Sequence, residues 1–280
     1  MDVIRTIREM QAWSKERKRE GKTIGIVPTM GCLHEGHLSL IDAARVHGAD
    51  CVVVTIFVNP IQFAPNEDFV SYPRDFERDS ALCAGKNVDA VFAPPVQEMY
   101  PAPVTCFVSE RKLSKGLCAK TRPTHFDGVT TVVAKLFNAV LPDVAVFGQK
   151  DAQQARVLQR MVRDLNFPIR MVIAPIVREA DGLAKSSRNR YLSETERRNT
   201  LVLSRSLKEA AGLVAGGETD LRKIVASIQE KIAAAGGKVD YVETVDAEEL
   251  EPVEVKSDKP VMIALAAYFG NTRLIDNIIL

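Results

Sequence analysis

The chain alternates short apolar runs with longer stretches of helical period. Thr6-x-x-Glu9 has the form of a capping box, and it starts a charged helix that Gly21 stops. Apolar runs rich in Val, Ile or Phe follow at 23–27, 51–58, 88–93, 143–147 and 169–177, and Pro28 is expected to end the first. Between them the periodicity predicts helices over 37–47, 75–85, 129–140 and 151–165. Nearly continuous apolar strands separated by helices are covered on both faces. The predicted class is therefore α/β, with a doubly wound, parallel, Rossmann-like sheet over residues 1–177.

The pattern changes beyond residue 177. EADGLAKSSRNRYL is polar and loop-like. Amphipathic helices are predicted over 194–215 and 220–235, closed by Gly216-Gly217 and Gly236-Gly237. Strands are predicted over 239–246 and 260–269. Residues 178–280 thus read as a smaller C-terminal α+β domain, with the polar loop as hinge or lid.

Composition narrows the function. A net charge of +1 gives no electrostatic case for nucleic acid or an acidic membrane surface as partner. No apolar run reaches the roughly 18 residues of a membrane span. The N-terminal MDVIRTIREM lacks the apolar core of a secretory signal. Five scattered cysteines without a CxxC pair fit a reducing, cytoplasmic setting.

The stretch TIGIVPTMGCLHEGHLSL concentrates the candidate chemistry. A strand ends, Gly31 turns the chain, and His34 and His37 open a helix three residues apart. That spacing puts both imidazoles on one face at the positive helix end, where a polyphosphate binds. They could donate hydrogen bonds to phosphate oxygens and to charge that develops in the transition state. The helix end disfavours imidazolium and a bound triphosphate favours it, so the sequence leaves their protonation open. Zinc is a competing reading, with Cys32 able to join a C-x-H-x-x-H cluster, but zincin histidines stand four apart.

Asn59 and Gln62, in VNPIQF, follow the second strand of the series, at the edge where open α/β sheets bind ligands. Gly148, Lys150, Asp151 and Gln154 follow the fourth, in FGQKDAQQ. Gly148 would let a ligand approach the backbone, Lys150 would neutralise phosphate, and Asp151 has the form of a helix N-cap. Lys185, Ser186, Ser187 and Arg188 supply two cations and two hydroxyls in the loop between the domains, a set suited to closing over a triphosphate. Asp75 and Asp79 could help position a phosphate-bound Mg²⁺. His125 and Arg122 precede the helix at 129. Cys32 reads as a small packing residue.

Taken in order, PTMGCLHEGHLSL, VNPIQF, YPRD, RPTHFDGV, FGQKDAQQ, VREADGLAKSSRNRYL and TRLIDNI resemble the sequence blocks of the pantoate–β-alanine ligase family. HEGH and KSSR are also similar to the two nucleotide signatures of class I aminoacyl-tRNA synthetases and nucleotidyltransferases. The resemblance implies ATP-dependent ligation of pantoate and β-alanine through a pantoyl adenylate, with release of pyrophosphate and AMP, by a cytoplasmic homodimer using Mg²⁺. It implies that Met30, Gly31, Cys32, Leu33, His34, Glu35, Gly36 and His37 contact ATP, with His37 as proton donor. Gly148, Gln149, Lys150, Asp151, Val177, Lys185, Ser186, Ser187 and Arg188 would complete the ATP site. Lys150 and Arg188 would join the two histidines in catalysis. Gln62 and Gln154 would hold pantoate, Gln62 would also meet β-alanine, and Asn59 and His125 would line the same pocket. Asp79 falls where a Mg²⁺-contacting acid can stand. Cys32, Gln149, Ala152, Lys185 and Arg78 depart from the residues usual in the family. Two rivals stand beside this reading: a class I nucleotidyltransferase with another acceptor, and a nucleotide-binding protein without catalysis.

Overall fold

A computed structural model describes every residue of the chain except Asn66. The strands of the first part are β1 (Asp2–Ile4), β2 (Ile24–Thr29), β3 (Cys51–Ile56), β4 (Ala90–Phe92), β5 (Val144–Gly148) and β6 (Arg170–Ala174). Its helices are α1 (Ile7–Arg19), α2 (Glu35–Val46), α3 (Phe76–Gly85), α4 (Val96–Met99), α5 (His125–Val140) and α6 (Ala152–Asp164). All six strands form one parallel sheet in the order β1-β4-β3-β2-β5-β6.

Strand alternation explains the two cores. On β3, Val53 faces a cluster built with α1, α5 and α6, while Val52 and Val54 face a second cluster built with α2 and α3. β5 divides likewise, Ala145 and Phe147 to the first and Val144 and Val146 to the second. Helices thus cover both faces, as the continuous apolar runs require. Gly25 lets α2 lie close: a β-carbon there would stand 2.7 Å from that of Ala49 and 3.2 Å from that of Ala44.

The chain leaves β2 toward β3 and leaves β5 toward β6, on opposite sides of the β2–β5 pair. The two strands pair only through Gly25–Val144 and Ile26–Ala145, so their C-terminal ends part. Such a divergence is the usual ligand crevice of a doubly wound sheet. It also explains why Pro28 does not end β2 as expected. Pro28 pairs with Thr55 of β3 but lies beyond the pairing with β5, where a missing N–H costs little.

The chain divides into two compact units. The first comprises 1–115, 121–149 and 154–175, and the second 116–120, 150–153 and 176–280. The second unit contains α7 (Glu194–Asn199), α8 (Leu201–Ala215), α9 (Leu221–Ala234) and the antiparallel sheet β7 (Lys238–Asp246), β8 (Val261–Phe269) and β9 (Thr272–Ile279). One face of β8 (Val261, Ile263, Leu265, Ala267, Phe269) packs on α8 and α9, and the other contributes Met262 and Ala264 to a smaller cluster. The single helix expected over 194–215 breaks at Thr200, which is fully buried and whose hydroxyl donates to the Arg197 carbonyl at 2.8 Å. The strands β1 and β9 were not foreseen. β1 is a three-residue edge, and in β9 polar residues interrupt the apolar alternation.

Candidate active site

The loop from β2 to α2 sits at the open end of the crevice and is held by side chains from three strands and helices. Thr29 donates from Oγ1 to the Thr55 carbonyl at 2.6 Å and accepts the Gly31 N–H at 3.1 Å. Gly31 and Cys32 both have positive φ, at 82° and 50°, a conformation that is unusual for a cysteine. It turns the Cys32 and Leu33 N–H groups onto the two oxygens of Asp79, at 2.7 and 2.8 Å. Successive amides in this geometry form an anion-binding nest, here filled by the protein's own carboxylate. Arg78 donates to the Leu33 carbonyl at 3.1 Å from the same turn of α3.

Asp79, the acid that the family resemblance puts near Mg²⁺, thus holds the shape of this loop. It is 1% exposed and both its oxygens are engaged by the loop. Among the described residues no group of three His, Cys, Asp or Glu could hold a metal. Asp75 instead caps α3 through the Arg78 N–H at 3.1 Å.

His34 is the N-cap of α2, and the two histidines form a reciprocal box. Nδ1 of His34 accepts the Gly36 N–H at 3.1 Å, and Nδ1 of His37 accepts the His34 N–H at 3.3 Å. The ring centroids lie 4.1 Å apart. A ring that accepts at Nδ1 carries its proton at Nε2, so the backbone selects one tautomer for both and makes each a neutral Nε2–H donor. Glu35 and Gly36 form the first turn of α2, and Met30 precedes Gly31.

Gln62 ends a 3-10 turn, Pro60–Gln62, packed on α5. A β-carbon on Gly128 would come within 2.6 Å of the Gln62 Cα. The Gln62 amide is oriented from both ends. Oε1 accepts from Asn59 Nδ2 at 3.0 Å, and Nε2 reaches the Met30 sulfur at 3.3 Å. Asn59, expected as a substrate contact, is 1% exposed and spends its amide on protein: Nδ2 also donates to the Gly128 carbonyl, and Oδ1 accepts from the Tyr100 hydroxyl at 2.8 Å. Burial raises the Tyr100 phenol well above its ordinary value. His125, also expected to face substrate, donates from Nδ1 to the Gln62 carbonyl at 3.0 Å and accepts from Arg122 at Nε2. Arg122 pairs with Glu67. Burial alone would raise the Glu67 carboxyl, but the hydrogen bond and charge of Arg122 outweigh it and hold it below its ordinary range. Asn59 and His125 thus both hydrogen-bond to Gln62.

Gly148 ends β5, and the 3-10 turn Gln149–Asp151 runs directly into α6. A β-carbon on Gly148 would meet nothing within 4 Å, so packing does not demand glycine there. Gln154 is half-buried on α6, while Gln153, which was not foreseen, is buried and pins the segment 116–118 through Cys118 N–H and Gly116 C=O.

In the second unit, Val177 accepts the Lys185 N–H at 2.9 Å and so closes a tight hairpin. Within it Arg178 bridges to Ala184. Ser186 caps the 3-10 turn Ser187–Tyr191 through the Arg188 N–H at 3.3 Å. Glu179 ties Asn189 and Arg197 together, each at 2.8 Å. The Lys185–Arg188 segment is thus a built loop.

Comparison with known proteins decides the family. The family model described as pantoate-beta-alanine ligase matches residues 2–279. The chain belongs to the pantoate-beta-alanine ligase family. It is 58% identical over 281 residues to the pantothenate synthetase of Thermotoga petrophila, covering 100% of both chains. It is 55% identical to that of Heliobacterium modesticaldum, covering 100% of this chain and 99% of the relative. The crystal structure of pantothenate synthetase from Thermus thermophilus superposes with a TM-score of 0.92 at 42% identity, covering 99% of each chain. The ligase from Francisella tularensis, complexed with βγ-ATP and β-alanine, gives a TM-score of 0.83 at 31% identity over 99% of this chain and 97% of that one. The Rossmann-like sheet and the smaller C-terminal α+β part expected from the sequence agree with these ligase structures.

Proposed function

We propose that this protein ligates pantoate to β-alanine at the expense of ATP, through a pantoyl adenylate. The observation that carries the reading is the pair of imidazoles, fixed as Nε2–H donors at the N-terminus of α2 beside the β2–β5 crevice. Neutral donors at a positive helix end suit phosphate oxygens and the charge that builds on them.

In the first step a pantoate carboxylate oxygen bonds to the α-phosphorus and the bond to the β-phosphate bridging oxygen breaks, releasing pyrophosphate. The carboxylate is ionised at neutral pH and needs no base. In the second, the amine nitrogen of β-alanine bonds to the acyl carbon, the acyl carbon–phosphate oxygen bond breaks so that AMP leaves, and the nitrogen gives up one proton to solvent. Catalysis is then positioning and charge stabilisation. We assign ATP to 30–37, 148–151, Val177 and 185–188, with His34, His37, Lys150 and Arg188 on charge that develops at phosphorus. Gln62 presents Nε2–H to pantoate, with Gln154 as second amide. Mg²⁺ enters as the magnesium salt of ATP. We extend to this chain the homodimeric, cytoplasmic character that its family resemblance implies. No helix among the described residues is long and apolar enough to cross a membrane, and all five cysteines are free.

Exchange of labelled pyrophosphate into ATP tests the reading. It is expected only with pantoate present, and AMP release is expected only when β-alanine is added. Exchange that ignores pantoate would point to another acceptor; nucleotide binding without exchange would point to a non-catalytic role. Light scattering is expected to give twice the mass of the chain.

A further inference from the structure

The last strand carries two buried polar residues where apolar ones would pack. Asp276 and Asn277 are each 3% exposed, and across the sheet they pair with buried Leu265 and Ala264 of β8. Burial of such groups is costly unless each is hydrogen-bonded, so their partners indicate what they are for. Asp276 accepts both arms of Arg178, Nη1 to Oδ2 at 2.7 Å and Nη2 to Oδ1 at 3.0 Å. Arg178 Nη1 also donates to the Gly182 carbonyl at 3.1 Å, across the hairpin that leads into Lys185–Arg188. Asn277 donates from Nδ2 to the Lys150 carbonyl at 3.1 Å, and its own N–H is held by Asp276 Oδ1 at 2.8 Å.

We infer that Asp276 and Asn277 are positioning residues for adenylation: one fixes the base of the Lys185–Arg188 loop through Arg178, and the other fixes the backbone from which the Lys150 ammonium extends. Adjacent strand residues point to opposite faces, so a single dipeptide sets two cationic groups at once. A bidentate guanidinium–carboxylate pair fixes direction as well as distance, which a loop that must place charges on phosphate requires. The inference rests on the ligase reading above.

The test is a double-mutant cycle on pantoate-dependent pyrophosphate exchange. Asp276→Asn is expected to lower kcat by about ten- to a hundredfold, with the KM for pantoate within about twofold of wild type. In an Arg178→Gln background the same change is expected to add less than about twofold, because its partner is already gone. Asn277→Asp, which keeps the shape and loses the donor, is expected to lower kcat similarly. If Asp276→Asn does not fold, Arg178→Lys keeps the charge without the fork and tests the same contact. A merely structural role would lower the melting temperature and leave kcat per folded enzyme unchanged, and that result overturns the inference. Equal losses in both backgrounds overturn the route through Arg178. Variants as active as an active wild type overturn the inference while the ligase reading stands, and a wild type without exchange overturns both.

Discussion

His37 accepts the backbone N–H of His34 through Nδ1 at 3.3 Å, so the residue to which we assign a role on phosphate also helps close the helix that carries it. Two jobs on one ring can be separated by substitution. His37→Ala is expected to remove about 2–4 kcal/mol of transition-state stabilisation, read as turnover in pyrophosphate exchange. It should also lower thermal stability by the loss of the box, about 1 kcal/mol. His37→Gln can still accept the His34 N–H, as Gln does in ordinary capping boxes, and is expected to recover the stability but not the turnover. Wild-type turnover in His37→Ala would rule out the donor role.

Asp79→Asn offers one acceptor oxygen where the loop needs two. One of the Cys32 and Leu33 amides is then left buried without a partner, at a cost of about 1–3 kcal/mol. Denaturant unfolding is expected to show that loss, and calorimetry a weaker affinity for ATP. Unchanged ATP affinity would mean that the loop keeps its shape without the carboxylate.

Gly128→Ala forces the added methyl against the Gln62 backbone, 2.6 Å from its Cα and 2.7 Å from its N. The 3-10 turn must move. The expected outcome is a KM for pantoate raised about tenfold with the KM for ATP held, since a small displacement of a positioning group is costly. Parallel losses for both substrates would show general misfolding instead.

The Arg122–Glu67 pair gives a pH signature. Glu67 has its carboxyl held below the ordinary 4.5 in the folded protein, so the pair stabilises fully above that value. The contribution is lost as pH falls through the lower, folded-state pKa. Melting curves of wild type and Glu67→Gln are therefore expected to differ near neutrality and to converge in acid. A constant difference across the range would mean that charge on Glu67 contributes nothing.

Much of this architecture was legible because it rests on periodicity. The runs at 51–58 and 143–147 are apolar on both strand faces, and that alone predicts a sheet sandwiched by helices. The histidines were legible as a helix opening, but their tautomer was not, since it depends on which nitrogen meets an amide. Asn59, His125 and Asp79 read as ligand contacts because their types suit ligands. Only contacts across 46 to 69 residues of sequence reveal the protein groups that each of them also binds. A usable signal existed for the residues that were missed. Thr55 inside CVVVTIFV and Asp276-Asn277 inside TRLIDNII are polar breaks in strand-like apolar runs, and such breaks survive only when something binds them.

The grip of Asp79 on the 32–33 amides joins stretches of chain that are far apart, and it works in both directions. The β2–α2 loop draws its shape from a carboxylate on α3, so an isolated peptide spanning the histidines is expected to lack that shape. Conversely, any molecule that steadies this loop transmits part of its binding energy into a helix it never touches, and slower amide exchange along α3 would report an occupied crevice at a distance.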